Sequence, residues 1–111
     1  MTRSTNSTPA SMRKIKFTTA YKRDFKKLAR SQYRDVLNGA LKNDILARLI
    51  QDESLPTKYR DHALTGSWRG YRECHVLPDL LLVYCFIGEA SDEEGALVLA
   101  RLGSHAELRL A

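Results

Sequence analysis

The stretch Thr57–Tyr84, TKYRDHALTGSWRGYRECHVLPDLLLVY, decides how this 111-residue chain folds. Its first half, Thr57 to Gly70, lacks a hydrophobic period and carries Gly66 and Gly70, so it reads as irregular chain with turns. Tyr71 to Val76 then alternates, Pro78-Asp79 marks a turn, and Leu80 to Ile87 is an apolar run of buried-strand length. Beyond it the acidic loop GEASDEEG (Gly88 to Gly95) leads to a third strand, Ala96 to Leu102. Connections this short favour antiparallel pairing in a meander.

Upstream, Arg13 to Phe17 (RKIKF) alternates as a short strand. Thr18 and Thr19 offer N-caps for a helix to about Ser31, with Tyr21, Phe25 and Leu28 at i, i+4, i+7 spacing. A second helix starts near Gln32 to Asp35 and ends before Leu55-Pro56, carrying a Leu37, Leu41, Ile45, Leu49 stripe. The predicted order is β-α-α-β-β-β. The fold class is α+β: an antiparallel meander plus an N-terminal strand, with a two-helix hairpin on one face. Residues 1–11 (MTRSTNSTPAS) have nothing to bury and read as a disordered leader, with one domain over 12–111.

Composition narrows the function. Residues 12–61 hold 13 Lys/Arg against 6 Asp/Glu, whereas residues 62–111 hold 4 against 7. A basic half suits phosphates or an acidic protein partner. No apolar run is long enough to span a bilayer and no secretory h-region is present, so no membrane role is expected and cytoplasm is the default compartment. Cys74 and Cys85 form no CxxC pair and read as two reduced core thiols.

The titratable chemistry lies in the second half. The three histidines are His62, His75 and His105, and alternation sets Tyr71, Glu73 and His75 on one strand face and Arg72, Cys74 and Val76 on the other. Asp79 follows in the turn. Cleaving RNA without a metal requires removing the 2′-OH proton, protonating the leaving 5′-oxygen and neutralising charge on the phosphorane. Histidine can serve either proton step near neutrality. No HxH or HExxH ligand pair exists, so neither a metal nor any other cofactor is expected.

The pattern DH-x-L-x-G-x-W-x-G-x-R-x-x-H-x-x-P-D, a strand ending in VY and a terminal G-x-H closely resembles the YafQ branch of the RelE/ParE toxin superfamily. It is met by Asp61-His62, Leu64, Gly66, Trp68, Gly70, Arg72, His75, Pro78-Asp79, Val83-Tyr84, Gly103 and His105. The resemblance implies a RelE-like microbial RNase fold and the toxin of a type II toxin–antitoxin system. Such a toxin is an endoribonuclease (mRNA interferase) acting at the ribosomal A site. The partners it implies are mRNA, the ribosome and a cognate DinJ/RelB-like antitoxin, in a heterotetramer. The catalytic set carried over is His62, His75, Asp79 and His105. In that set His75 or His62 assists the 2′-OH, His105 protonates the leaving oxygen, and Asp79 orients a histidine or acts as base.

Lys58, Arg60, Arg69, Arg72, Arg101 and Arg109 are candidate RNA contacts, each of which alone also reads as a solvated or structural charge. The chain departs from the family at Leu80 and Arg109, where relatives commonly carry aromatics able to stack on a base. The alternative is a non-enzymatic binder, as in the gyrase-poisoning ParE branch or a decayed toxin that only binds its antitoxin.

Overall fold

A computed structural model of the chain describes residues 12–89 and 91–108; the expected leader over residues 1–11 and the candidate RNA contact Arg109 both lie outside the described residues. Strand β1 (Lys14–Phe17) leads into helix α1 (Thr19–Leu28). The Thr18 hydroxyl caps that helix by accepting from the Tyr21 amide at 2.9 Å, and it donates to the Ala100 carbonyl at 2.7 Å. The helix stops before Ser31 because the Ser31 side chain donates to the Leu28 carbonyl and accepts from the Tyr33 amide, a local alternative to another helical turn.

The second helix, α2, is continuous but changes winding: an α-turn over Arg34–Val36, a π-helical stretch over Leu37–Leu46 and an α-turn over Ala47–Ile50. A stripe spaced uniformly at four residues stays in line on a helix wound more loosely than 3.6 residues per turn, and Leu37, Leu41, Ile45 and Leu49 are all buried. Asp52 ends it in the left-handed region (φ 61°). The Glu53 amide reaches back to the Arg48 carbonyl and the Asp52 amide to the Leu49 carbonyl, so the helix closes well short of Pro56.

Strands β2 (His62–Ala63), β3 (Arg72–Leu77), β4 (Leu80–Ile87) and β5 (Ala96–Gly103) follow, then a short helix α3 (His105–Leu108). The sheet order is β1-β5-β4-β3-β2. The predicted meander is present, and β1 adds to it parallel to β5 through the register Lys14↔Ala96 to Phe17↔Leu99. Two short features were not foreseen: β2, inside the stretch read as irregular, and α3. Each is too short to leave a hydrophobic period.

Both helices cover one sheet face, where Tyr21, Leu41 and Ile45 meet Cys74, Leu82, Tyr84 and Leu99 in the main core. The other face carries a smaller cluster: Leu64, Leu81, Val83, Ala100 and Leu108, with Trp68 and Tyr71 packed against it. The acidic loop depends on Gly95, where a Cβ would stand 2.0 Å from the Glu89 carbonyl oxygen. Among the described residues no helix is long and apolar enough to cross a membrane.

Candidate active site

The three histidines come from three separate elements, and sheet register brings them together. On β3 the alternation holds: Cys74 and Val76 enter the main core, while Glu73 and His75 face the smaller cluster's side. His62 is the cross-strand partner of Glu73, and His75 pairs with Leu81, which pairs in turn with Gly103. The chain therefore leaves β5 two strands from His75 and delivers His105 at once.

That delivery is built from a capping box over Ser104–Glu107. The Glu107 carboxylate accepts from the Ser104 amide at 3.0 Å, and the Ser104 hydroxyl accepts from the Glu107 amide at 3.2 Å. The Ser104 amide, seconded by Lys27 at 3.1 Å, holds the Glu107 carboxyl below its usual range. Gly103 gives the box room, since a Cβ there would lie 3.0 Å from Glu107 Oε1 and 3.3 Å from Leu108 Cδ2, a tight fit. The G-x-H spacing thus has a steric reason.

His62 is aimed by a second device. Arg60 adopts the left-handed conformation (φ 50°), uncommon for a residue with a side chain. Asp61 next to it is clamped by Arg72, whose Nη2 donates at 3.0 Å, and by the buried Tyr84 hydroxyl. Burial, then the bond to Asp61, pushes the Tyr84 hydroxyl well above its usual range, so it remains a donor. His62 Nδ1 lies 2.7 Å from the Arg60 carbonyl oxygen. A carbonyl only accepts, so Nδ1 carries the proton and Nε2 is the nitrogen left to exchange one.

All three Nε2 atoms converge on one oxygen. Glu73 Oε1 lies 3.3 Å from His75, 3.6 Å from His62 and 3.8 Å from His105. The Glu73 side chain is 2% exposed, against 16% for His75 and 51% and 58% for His62 and His105. A carboxylate so buried is costly unless paired, and among the described residues these imidazoles are the groups placed to pair with it. The result is a buried carboxylate oxygen within 3.3 to 3.8 Å of three imidazole rings, two of them open to solvent. Among the described residues no group of three or more His, Cys, Asp or Glu side chains is arranged to hold a metal ion.

Glu73 is the residue the sequence reading left out of the site. Alternation had placed it beside His75, but nothing in the sequence told that its carboxylate lies under all three rings. The carboxylate that lies beside the three rings is that of Glu73, not the Asp79 expected to orient a histidine. Asp79 accepts from the Tyr33 hydroxyl at 2.8 Å, and among the described residues it contacts no histidine, because the two-residue turn carries it past the strand end. Leu80 is 1% exposed and belongs to the main core.

The predicted RNA contacts divide. Arg72 is committed to Asp61 on the face away from Glu73, and Arg101, which like Glu73 pairs across the sheet with Val83, is committed to Asp24 through two bonds of 2.7 and 3.2 Å. Lys58, Arg60 and Arg69 are exposed, and among the described residues none of them makes an ion pair. Both thiols are free, and burial raises each above the ordinary range, which removes thiolate character.

Comparison with known proteins gives a consistent result. The family model described as the bacterial toxin of type II toxin–antitoxin system, YafQ, matches residues 13–110. The chain is 35% identical over 97 residues to a putative toxin YafQ of Haemophilus influenzae, covering 87% of this chain and 92% of that one. It is 36% identical over 96 residues to the mRNA interferase toxin YafQ of Escherichia coli K12, covering 86% and 95%. Among solved structures, a copper-bound mutant toxin from Helicobacter pylori matches with a TM-score of 0.73 at 38% identity, covering 87% of this chain and 99% of that one. YafQ in the E. coli DinJ-YafQ complex matches with a TM-score of 0.65 at 32% identity, covering 86% and 97%.

Proposed function

The chain belongs to the YafQ family of bacterial type II toxins, and we propose that it is an endoribonuclease that cleaves mRNA at the ribosomal A site without a metal. The observation that carries this reading is the convergence of three imidazole Nε2 atoms on the buried Glu73 oxygen. One carboxylate under three rings, two of them solvent-facing, suits proton transfer on an outside substrate and has no use in a pure binder.

In the proposed reaction His75 or His62 takes the ribose 2′-OH proton as that oxygen bonds to phosphorus. His105 gives a proton to the 5′-oxygen as its bond to phosphorus breaks. The product ends in a 2′,3′-cyclic phosphate and its partner begins with a 5′-hydroxyl. Glu73 orients the rings and balances the imidazolium charge. Asp79, exposed at the strand end, serves as an auxiliary base or substrate contact. Lys58, Arg60 and Arg69 supply charge to the phosphates. The proposed partners are the ribosome and a cognate DinJ-like antitoxin, two toxins and two antitoxins together in the cytoplasm; YafQ of E. coli forms a complex with DinJ.

The deciding experiment is primer extension on a translated message after brief induction, comparing the wild type with His105→Ala. Cuts within codons that vanish in the variant and leave cyclic phosphate ends are expected. An uncut message with arrested growth would replace this reading with a ParE-like, non-nuclease target.

A further inference from the structure

Strand β2 pairs with only Glu73 and Arg72 of β3, so the rest of that edge is open. The Tyr71 carbonyl accepts from the Leu64 amide, on the side where β2 lies. In an antiparallel ladder alternate residues turn both backbone groups the same way, so the His75 N–H and C=O face this edge beyond the end of β2. Among the described residues neither has a partner there. A cleft of about 500 Å³ runs along this edge. Its lining includes the apolar side chains of Val36 and Ala40 of α2 and of Leu77 and Pro78, together with His75.

The rim is cationic. Lys58 and Arg60 both border the cleft, and both are exposed. Arg13, Arg48, Arg72 and Arg101 are all tied to carboxylates, whereas among the described residues Lys58 and Arg60 form no ion pair. The Lys58 ammonium rests 5.1 Å from the Tyr59 ring centroid, which props it at the cleft mouth. Apolar side chains, one free backbone donor and acceptor, and two uncommitted cations beside a histidine match a nucleotide: a flat base, its hydrogen-bonding edge and its phosphate.

We infer that this cleft is a nucleotide subsite, seating one base of the RNA between α2 and the β3 edge with the attached phosphate between Lys58 and Arg60. The inference rests on the nuclease reading for its substrate and names the position of one nucleotide beside the scissile bond. The nucleotide is fixed there by groups that take no part in the proton transfers, so the cleft governs which RNA is held and Glu73 with its histidines governs the chemistry.

The test is an amide-resolved NMR titration of the full chain with nucleoside 3′-monophosphates, one purine and one pyrimidine, against inorganic phosphate. The nucleotides should move the amides of Ala40, His75 and Leu77, and phosphate alone only those near Lys58 and Arg60. Ala40→Trp, which fills the cleft from a half-buried helix position, should weaken nucleotide binding about tenfold or more, within the range found for one lost base contact. Retained amide dispersion checks that this variant folds. Lys58→Ala, on the surface, should lower the salt-dependence slope of single-stranded RNA binding by about 0.7, as for one lost phosphate contact. Shifts confined to the surroundings of Glu73, or binding unaltered by Ala40→Trp and Lys58→Ala, would overturn the subsite and leave the nuclease reading standing. Nucleotide binding in the cleft by a chain that cuts no message would instead sustain the subsite and remove the nuclease.

Discussion

Two carboxylates sit back to back across β3 and are treated in opposite ways. Asp61, on the helix side, accepts from Arg72 at 3.0 Å and from the Tyr84 hydroxyl, so its charge is matched by fixed donors. Glu73, on the other side, is the more deeply buried, and among the described residues its ion-pairing neighbours are imidazoles at 3.3 to 3.8 Å. Arginine and tyrosine keep their protons across the physiological range, whereas imidazole exchanges its own. A carboxylate saturated by permanent donors builds a joint; one surrounded by imidazoles suits the reaction centre proposed above. The comparison also gives the joint its purpose, because Asp61 precedes His62 and fixes the backbone that aims it.

The largest effect expected from this contrast is on the Glu73 side. Glu73→Gln keeps the shape but removes the charge that organises the rings, and RNA cleavage should fall roughly a hundredfold or more. Initial rates on a labelled RNA, read with thermal unfolding to show that the fold survives, check it; a variant of wild-type rate would reduce Glu73 to packing.

Asp61→Ala should divide the other way. It strands the Tyr84 hydroxyl and a guanidinium partly screened by water, so urea unfolding should show a loss of about 2 kcal/mol. Cleavage should drop by a smaller factor, on the order of ten, through misplacement of His62. Equal activity loss in the two variants would dissolve the distinction between joint and centre.

Ser104→Ala tests whether the third ring is delivered with comparable rigidity. Loss of half the capping box should cost about 1 kcal/mol and slow cleavage a few-fold, measured by the same two assays. The smallest effect concerns pH. The Ser104 amide first and Lys27 second hold Glu107 below its usual range, so the folded value lies under the unfolded one. The stability it contributes is present above the unfolded value and is lost as pH falls through the folded value. Glu107→Gln should therefore flatten the acid limb of the melting-temperature profile and leave its neutral plateau within a few degrees.

How much of this was legible in the sequence depended on whether a feature repeats. The strands from Tyr71 onward and the α2 stripe carry a period, and their positions followed from it. The two-residue β2 and the four-residue α3 carry none, and both deliver a histidine. The motif resemblance marked His62, His75 and His105 one residue at a time without showing what they share. Glu73 was passed over because a lone glutamate in an alternating strand reads as a solvent-facing residue, and burial there is set by strands paired from both sides. Asp79 drew attention as the acid following His75, yet chain proximity put it beyond the strand end, where Tyr33 takes it up.

The sequence by itself determined the order of the longer elements, the helix face with its regular apolar stripes, and the residue types able to move protons, because local periodicity and side-chain chemistry are properties of neighbouring positions. Only the tertiary structure decided which carboxylate is a strut and which lies under the histidines. That choice rests on the registers His62↔Glu73 and Leu81↔Gly103, which join residues far apart in the chain. Cross-strand pairing positions side chains to within a few ångströms, and at that scale the difference between a fixed donor and an exchangeable one becomes the difference between holding a fold and carrying a reaction.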